Sequence, residues 1–201
     1  MTDAEVTVQL LVEEPSTKQA LGVILPKIVP NVPFEIVQFQ GKQDLLKRLP
    51  GLLKGYAVRL EWELLRIVVV IDRDLDDCAE LKRKLVRIAD DAGLPRSAVL
   101  FRIAIDELES WFLGDVPALC AAYPRVPANL GEQARYRDPD ATGKALRALE
   151  HVLKSNGYHR DHLAKVKAAV GIGVHMDVEA NRSRSFQVFR DGLRRLVSEG
   201  S

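Results

Sequence analysis

Cysteine is scarce in this chain: Cys78 and Cys120 are the two in 201 residues, far apart, with no CxxC pair and no histidine at metal-ligand spacing. A disulfide framework and a structural zinc site are therefore excluded as organising features. Long apolar runs are missing too. No window reaches the roughly 18 or more continuous apolar residues of a membrane span, and the opening MTDAEVTVQLLVEE carries acids where a signal peptide carries Lys or Arg. The expectation is a cytoplasmic protein with no membrane partner.

Other signatures are absent as well. There is no internal repeat, low-complexity tract or heptad run, and the GIGVHM stretch lacks the third glycine and the preceding strand of a dinucleotide fingerprint. His159, His162 and His175 stand near acids but form no HExxH-like pattern, so a solvent face suits them as well as a catalytic role.

Net charge is almost absent, at +1, yet it is unevenly spread. Residues 1–120 hold 15 Lys and Arg against 19 Asp and Glu, and residues 121–201 hold 14 against 9, which makes the first part −4 and the second +5. Such asymmetry suits an anionic polymer lying over one lobe and reacting at the other; it also suits an ordinary solvated surface.

What is present is a 47% hydrophobic composition, ample for one packed domain or for a domain with a smaller lobe. Apolar runs rich in β-branched residues at 6–13, 34–40, 64–72 and 98–106 alternate with stretches of helical period at 16–29, 42–60 and 77–92. That alternation predicts β-α-β-α-β-α-β, an α/β fold of Rossmann-like type with about four mainly parallel strands flanked by helices. Ser16 or Thr17 is placed to cap the first helix, Asp76 or Asp77 to cap the third, and Gly93 to close it.

After Asp106 the pattern changes to ELESWFLGDVPALCAAYP, helical with an aromatic anchor, then a loop-like RVPANLGEQARYRDPDATG, then mostly helix from Lys144 onward. The expected organisation is an α/β domain over 1–120 and a C-terminal helical extension over 121–201 packed on it. Trp111 and Phe112 read as core anchors.

The chemistry concentrates where strands end. The stretch RIVVVIDRDLDDC runs from five apolar residues straight into Asp72, Asp74, Asp76 and Asp77; the first strand ends in Glu13 and Glu14, and the fourth in Asp106 and Glu107 with Glu109 nearby. In an open parallel sheet, ligands bind beyond the C-terminal ends of the strands. Like charges gathered there cost free energy unless cations compensate them. Asp72 and Asp74, two apart in extended chain, leave on the same side and suit one hard cation, and Mg²⁺ takes one or two carboxylates plus water and phosphate oxygens. Acids at the other strand ends would complete that site or form a second, as in-line attack on a phosphodiester requires. Helix capping is the competing reading, and it suits Asp76 and Asp77 best.

Cations in the sequence have two readings as well. Lys42 falls at a helix N-terminus, where a lysine is unfavourable unless an anion is near. Arg135, Tyr136 and Arg137, and Arg182 and Arg184 with Ser183 and Ser185, are candidate phosphate or base contacts, or else lid residues paired with acids such as Asp138.

Glutamate at the end of a first strand with Asp-x-Asp at the end of a later one resembles the Toprim domain of topoisomerases, primases and OLD-type nucleases; LVEEPS and IDRD carry the match. More of the chain resembles a bacterial family known as a numbered domain of unknown function and grouped with Toprim-like proteins. EEPST, GKQDLL, VVVIDRDLDDC, RIAIDELESWFLGD, YRDPD and RSRSFQVF recur in it in that order. The resemblance implies phosphodiester cleavage with Mg²⁺ or Mn²⁺. By that resemblance Glu13 is general acid/base or metal ligand, Asp72 and Asp74 are Mg²⁺ ligands, and Glu14, Asp106, Glu107 and Glu109 are further metal-site acids. It also implies a role in phage defence beside an ABC-type or AAA ATPase, and leaves a homodimer open. Two positions depart from the pattern: Glu14 replaces the usual glycine and Thr17 the acid common in nuclease members. Both departures favour a second reading, a non-catalytic subunit that binds metal or a partner's basic surface.

Overall fold

In the computed structural model, residues 5–72, 77–104, 108–159 and 162–199 are described. Four strands, β1 (Thr7–Val12), β2 (Phe34–Gln38), β3 (Leu65–Asp72) and β4 (Val99–Ala104), form one sheet in the order β2-β1-β3-β4. All three pairings are parallel, with Val12 beside Val70 and Asp72 beside Ala104. Helices α1 (Pro15–Ile28), α2 (Lys42–Arg59) and α3 (Cys78–Asp91) connect them, so the fold is α/β as the alternation predicts. A parallel sheet needs such crossovers, and they bury both of its faces.

The two faces have separate cores. Leu11, Ile67, Val69 and Ile71 pack with Leu45, Leu49 and Leu53 of α2 and Leu81 and Leu85 of α3. Val8, Leu10, Val12, Val68 and Val70 pack on the opposite face with Leu21, Ile24 and Leu25 of α1 and with the C-terminal helices. These are α4 (Glu109–Leu113), α5 (Val116–Ala122), α6 (Ala145–Ser155), α7 (Lys165–Gly173) and α8 (Arg184–Ser198). None of the described helices is long and apolar enough to cross a membrane.

Local signals explain the helix ends, with one correction. Asp77 caps α3 by accepting from the Glu80 N–H at 2.8 Å. At the other end Gly93 adopts φ +76°, and Gly93 and Leu94 donate to the Asp90 and Ala89 carbonyls, a Schellman-type closure. For α1, by contrast, the cap is Glu14 rather than Ser16 or Thr17. Pro15, which has no N–H to leave unsatisfied, suits the first helical position and starts the helix early. Ser16 and Thr17 are consequently buried inside the first turn.

Polar stitching holds the C-terminal helices. Asp115 caps α5 through Ala118 N–H at 2.9 Å and accepts from Asp177 N–H at 2.7 Å. Buried Asn181 donates to the Trp111 carbonyl at 2.8 Å and accepts from Ser183 N–H at 2.9 Å. Trp111 itself lies between Phe186 and Phe189, with ring centroids 5.3 and 4.9 Å away, as a core anchor should. Where α8 ends, the buried Arg66 of β3 donates to the Leu196 carbonyl at 2.9 Å. Lys27 of α1 caps the end of α7, donating to the Gly173, Val174 and Met176 carbonyls at 3.1, 2.7 and 2.9 Å. Burial lowers the Lys27 pKa, and the charges of Asp115 and Asp177 act against that.

Candidate functional site

Strand order decides where a site can form. From β1 the chain crosses to β2 on one side; from β3 it crosses to β4 on the other. α1 therefore leaves toward one face and α3 toward the other, and a crevice opens between the C-terminal ends of β1 and β3. Glu13 follows β1 directly, and Asp72 is the last residue of β3.

The two meet there. Glu13, only 8% exposed, accepts through Oε1 from the Asp72 N–H at 2.7 Å. Its side chain thereby extends the β1–β3 ladder after the β1 backbone has turned toward α1. A charge-assisted bond of this kind contributes about 1.5–3 kcal/mol net. On the other side of the same residue, Lys42 Nζ donates to the Asp72 carbonyl at 2.6 Å. Lys42 is placed by Gly41, whose φ of +87° turns the β2–α2 loop and whose N–H donates to the Glu13 carbonyl at 3.2 Å. Glu13 and Lys42 together fix the main chain of Asp72, which remains partly exposed.

The remaining expected residues divide. Glu14 accepts from Ser16 Oγ at 3.2 Å and pairs with Lys165 at the start of α7, N to O 3.4 Å. Glu109 is buried at the start of α4. Asp74, Asp76, Asp106 and Glu107 lie outside the described residues. His159 stacks edge-on against Tyr123 and hydrogen-bonds its hydroxyl at 3.0 Å, while His162 and His175 are exposed.

Several of the candidate basic contacts also make bonds within the chain. Tyr136 is buried, with the Arg135 guanidinium 5.5 Å from its ring centre, so it offers no platform for a base. Arg137 donates to the Glu132 carbonyl at 3.4 Å, and the Asp138 carboxylate instead accepts from Asp140 N–H at 3.0 Å. Arg182 donates to the Gly131 carbonyl at 3.4 Å. Ser183 caps α8 through Phe186 N–H and donates to Asp140 at 2.8 Å, and Asp140 also accepts from the Arg184 and Ser185 N–H groups. A carboxylate from the YRDPD stretch therefore occupies the N-terminus of α8, where an anion is favoured by the helix dipole.

Two features near the crevice were not anticipated. A cleft of about 670 Å³ runs from Lys42 between α2 and α3, lined by Arg83, Lys84 and Arg87 as well as Asp77, Glu80 and Asp91. Arg102, inside the apolar run of β4, faces α8. Its signal in the sequence is a lone charge in a strand otherwise apolar.

The donors suit a hard cation rather than a soft one, because the crevice supplies carboxylate oxygens. Glu13 and Asp72 match the one or two protein carboxylates that Mg²⁺ usually takes. Among the described residues no group of three His, Cys, Asp or Glu side chains is placed to hold a metal ion.

Residues 12–194 match the profile of the family described as Domain of unknown function (DUF4276), and the chain belongs to that family. No curated protein and no solved structure matches the chain.

Proposed function

We propose that this chain is a Toprim-like, Mg²⁺- or Mn²⁺-dependent phosphodiesterase that cuts or nicks nucleic acid. The observation that carries the reading is the meeting of Glu13 and Asp72 at the fork between β1 and β3, where open parallel sheets bind ligands.

Asp72, with Asp74 of the same motif and Glu13 beside it, would hold the divalent cation. That ion, when bound, supplies Lewis-acid polarisation of a phosphate oxygen. Glu13 is the group to move a proton at the reacting water or to complete the ion's ligands. Lys42 adds positive charge at the same mouth, and its hold on the Asp72 carbonyl keeps that residue in place. Arg83, Lys84 and Arg87 along the cleft are suited to sequence-independent backbone contacts. Glu107 and Glu109 remain further metal-site acids, and an ABC-type or AAA ATPase the partner implied by the resemblance.

A second reading is a non-catalytic subunit that binds metal or a basic partner at this mouth. The pairing of Glu14 with Lys165 favours it, because that pairing engages the acid standing where the Toprim pattern has glycine.

Cleavage of plasmid, single-stranded DNA and RNA, each with Mg²⁺, Mn²⁺ or EDTA, separates the two. The expected outcome is metal-dependent cutting by the wild type, reduced about a hundredfold or more in Asp72→Asn, with unfolding curves showing both proteins folded. Identical background in both would leave the non-catalytic subunit.

A further inference from the structure

A second, smaller cavity of about 280 Å³ lies between β4 and the first turns of α8, on the opposite face of the sheet from the α2–α3 cleft. Val70, Val188 and Phe189 give it an apolar wall, and Arg102 and Arg184 are the two cationic residues of its lining.

Arg102 is the anomaly. Its Nε is shielded from solvent and makes no hydrogen bond. Space for the guanidinium exists because residue 192 is glycine; a Cβ there would overlap Arg102 Nη2. Among the described residues no ion pair to Arg102 is seen, and the charge that bears on it is another cation, Arg195. Burial first, and that repulsion second, lower its pKa. The acid lining the cavity is Asp140, already engaged by Ser183 Oγ and the Arg184 and Ser185 N–H groups. The cavity therefore holds an uncompensated positive charge, a costly arrangement unless an anion completes it.

Location narrows the anion. Val70 and Asp72 are two apart on β3 and share a face, so one wall of the cavity lies roughly 7 Å along the strand from the candidate metal ligand. An apolar wall in a cavity lined by two arginines suits a ring carrying a phosphate.

We propose that this cavity receives the phosphate-bearing end of a nucleotide, with Arg102 and Arg184 on the phosphate and Val70, Val188 and Phe189 against the base. The identity of the ligand rests on the nuclease reading; the anion deficit does not.

Calorimetric titration in EDTA, where no cutting occurs, tests it with AMP, adenosine, inorganic phosphate, and a trinucleotide with or without a 5′-phosphate. AMP should bind more tightly than adenosine or phosphate, and Arg102→Gln and Arg184→Gln should each weaken it about tenfold, the effect of one charge-assisted bond. A preference for the phosphorylated trinucleotide over AMP assigns the site to a strand end; the reverse assigns it to a free nucleotide. Without ligand, Arg102→Gln should melt no lower than wild type, since it removes an uncompensated charge, whereas an arginine with a purely structural role would lower the melting temperature. Equal affinities in wild type and Arg102→Gln, or no binding by AMP and phosphorylated trinucleotide alike, overturn the proposal. Metal-dependent cutting with no binding of either AMP or the phosphorylated trinucleotide would sink this site and spare the nuclease reading; binding without any cutting would do the reverse.

Discussion

The mouth of the sheet and the seam between the C-terminal helices both concentrate charge, and they use it differently. In the seam two carboxylates are aimed at main-chain N–H groups: Asp115 holds those of Ala118 and Asp177, and Asp140 those of Arg184 and Ser185. At the mouth Glu13 and Lys42 hold the main chain of Asp72 instead, and Asp72 stays partly exposed. Carboxylates in the first arrangement hold helices in place; in the second, one acid positions another at a crevice.

That contrast can be broken by substitution. Phe189→Ala, which opens a hole beside Trp111 in the seam, should cost about 3–5 kcal/mol in urea unfolding. Asp115→Ala should come next at roughly 3 kcal/mol, because it removes a helix cap and strands the Asp177 N–H. At the mouth Glu13→Ala should cost roughly 2 kcal/mol and Glu13→Gln under about 1, since an amide oxygen still accepts from Asp72. If Glu13→Gln keeps stability but loses metal-dependent cutting, the carboxylate charge serves chemistry rather than folding; equal losses in both variants would mean that the mouth is built like the seam.

The smallest effect is in acid. Hydrogen bonds from Arg194 and Arg190 hold the Glu179 and Asp191 carboxyls below their ordinary values of 4.5 and 3.8. Lowered carboxylates stabilise the fold above those values, and the contribution is lost as pH falls through the depressed ones. The melting-temperature difference between wild type and Glu179→Gln should thus be present at neutral pH and shrink as pH falls below the ordinary glutamate value of 4.5 and through the lowered one.

Much of the frame was legible because its causes are local. The strand and helix alternation, the Asp77 cap and the Gly93 closure all follow from neighbours within a few residues, and Trp111 is marked as a core anchor by its own size and apolarity. The pairing of Glu13 with Asp72 was approachable through the rule for strand ends. Membership of a numbered family of unknown function was legible through motifs spread along the chain and is borne out by the match over 12–194.

What escaped depends on distant parts of the chain. Tyr136 reads as a candidate base contact, yet it is buried, and the N-terminus of α8 is held by Asp140, 44 residues from Arg184. Arg66 takes its partner 130 residues away on α8, and the Arg102 guanidinium lies over Gly192 of the same helix. Periodicity marks such residues as strand positions and says nothing of the helix that arrives opposite them.

The grip of Lys27 on the end of α7 has a consequence for the order of folding. Those contacts join residues 146 to 149 positions apart, and the face of the sheet formed by Val8, Leu10, Val12, Val68 and Val70 is completed by Phe186, Phe189 and Leu193. As the chain is synthesised from its N-terminus, the α2–α3 face can close once β4 has emerged, while the opposite face has only α1 over it until α8 is made. The nascent protein therefore carries a half-covered aliphatic surface over that interval, which is when it is most exposed to aggregation.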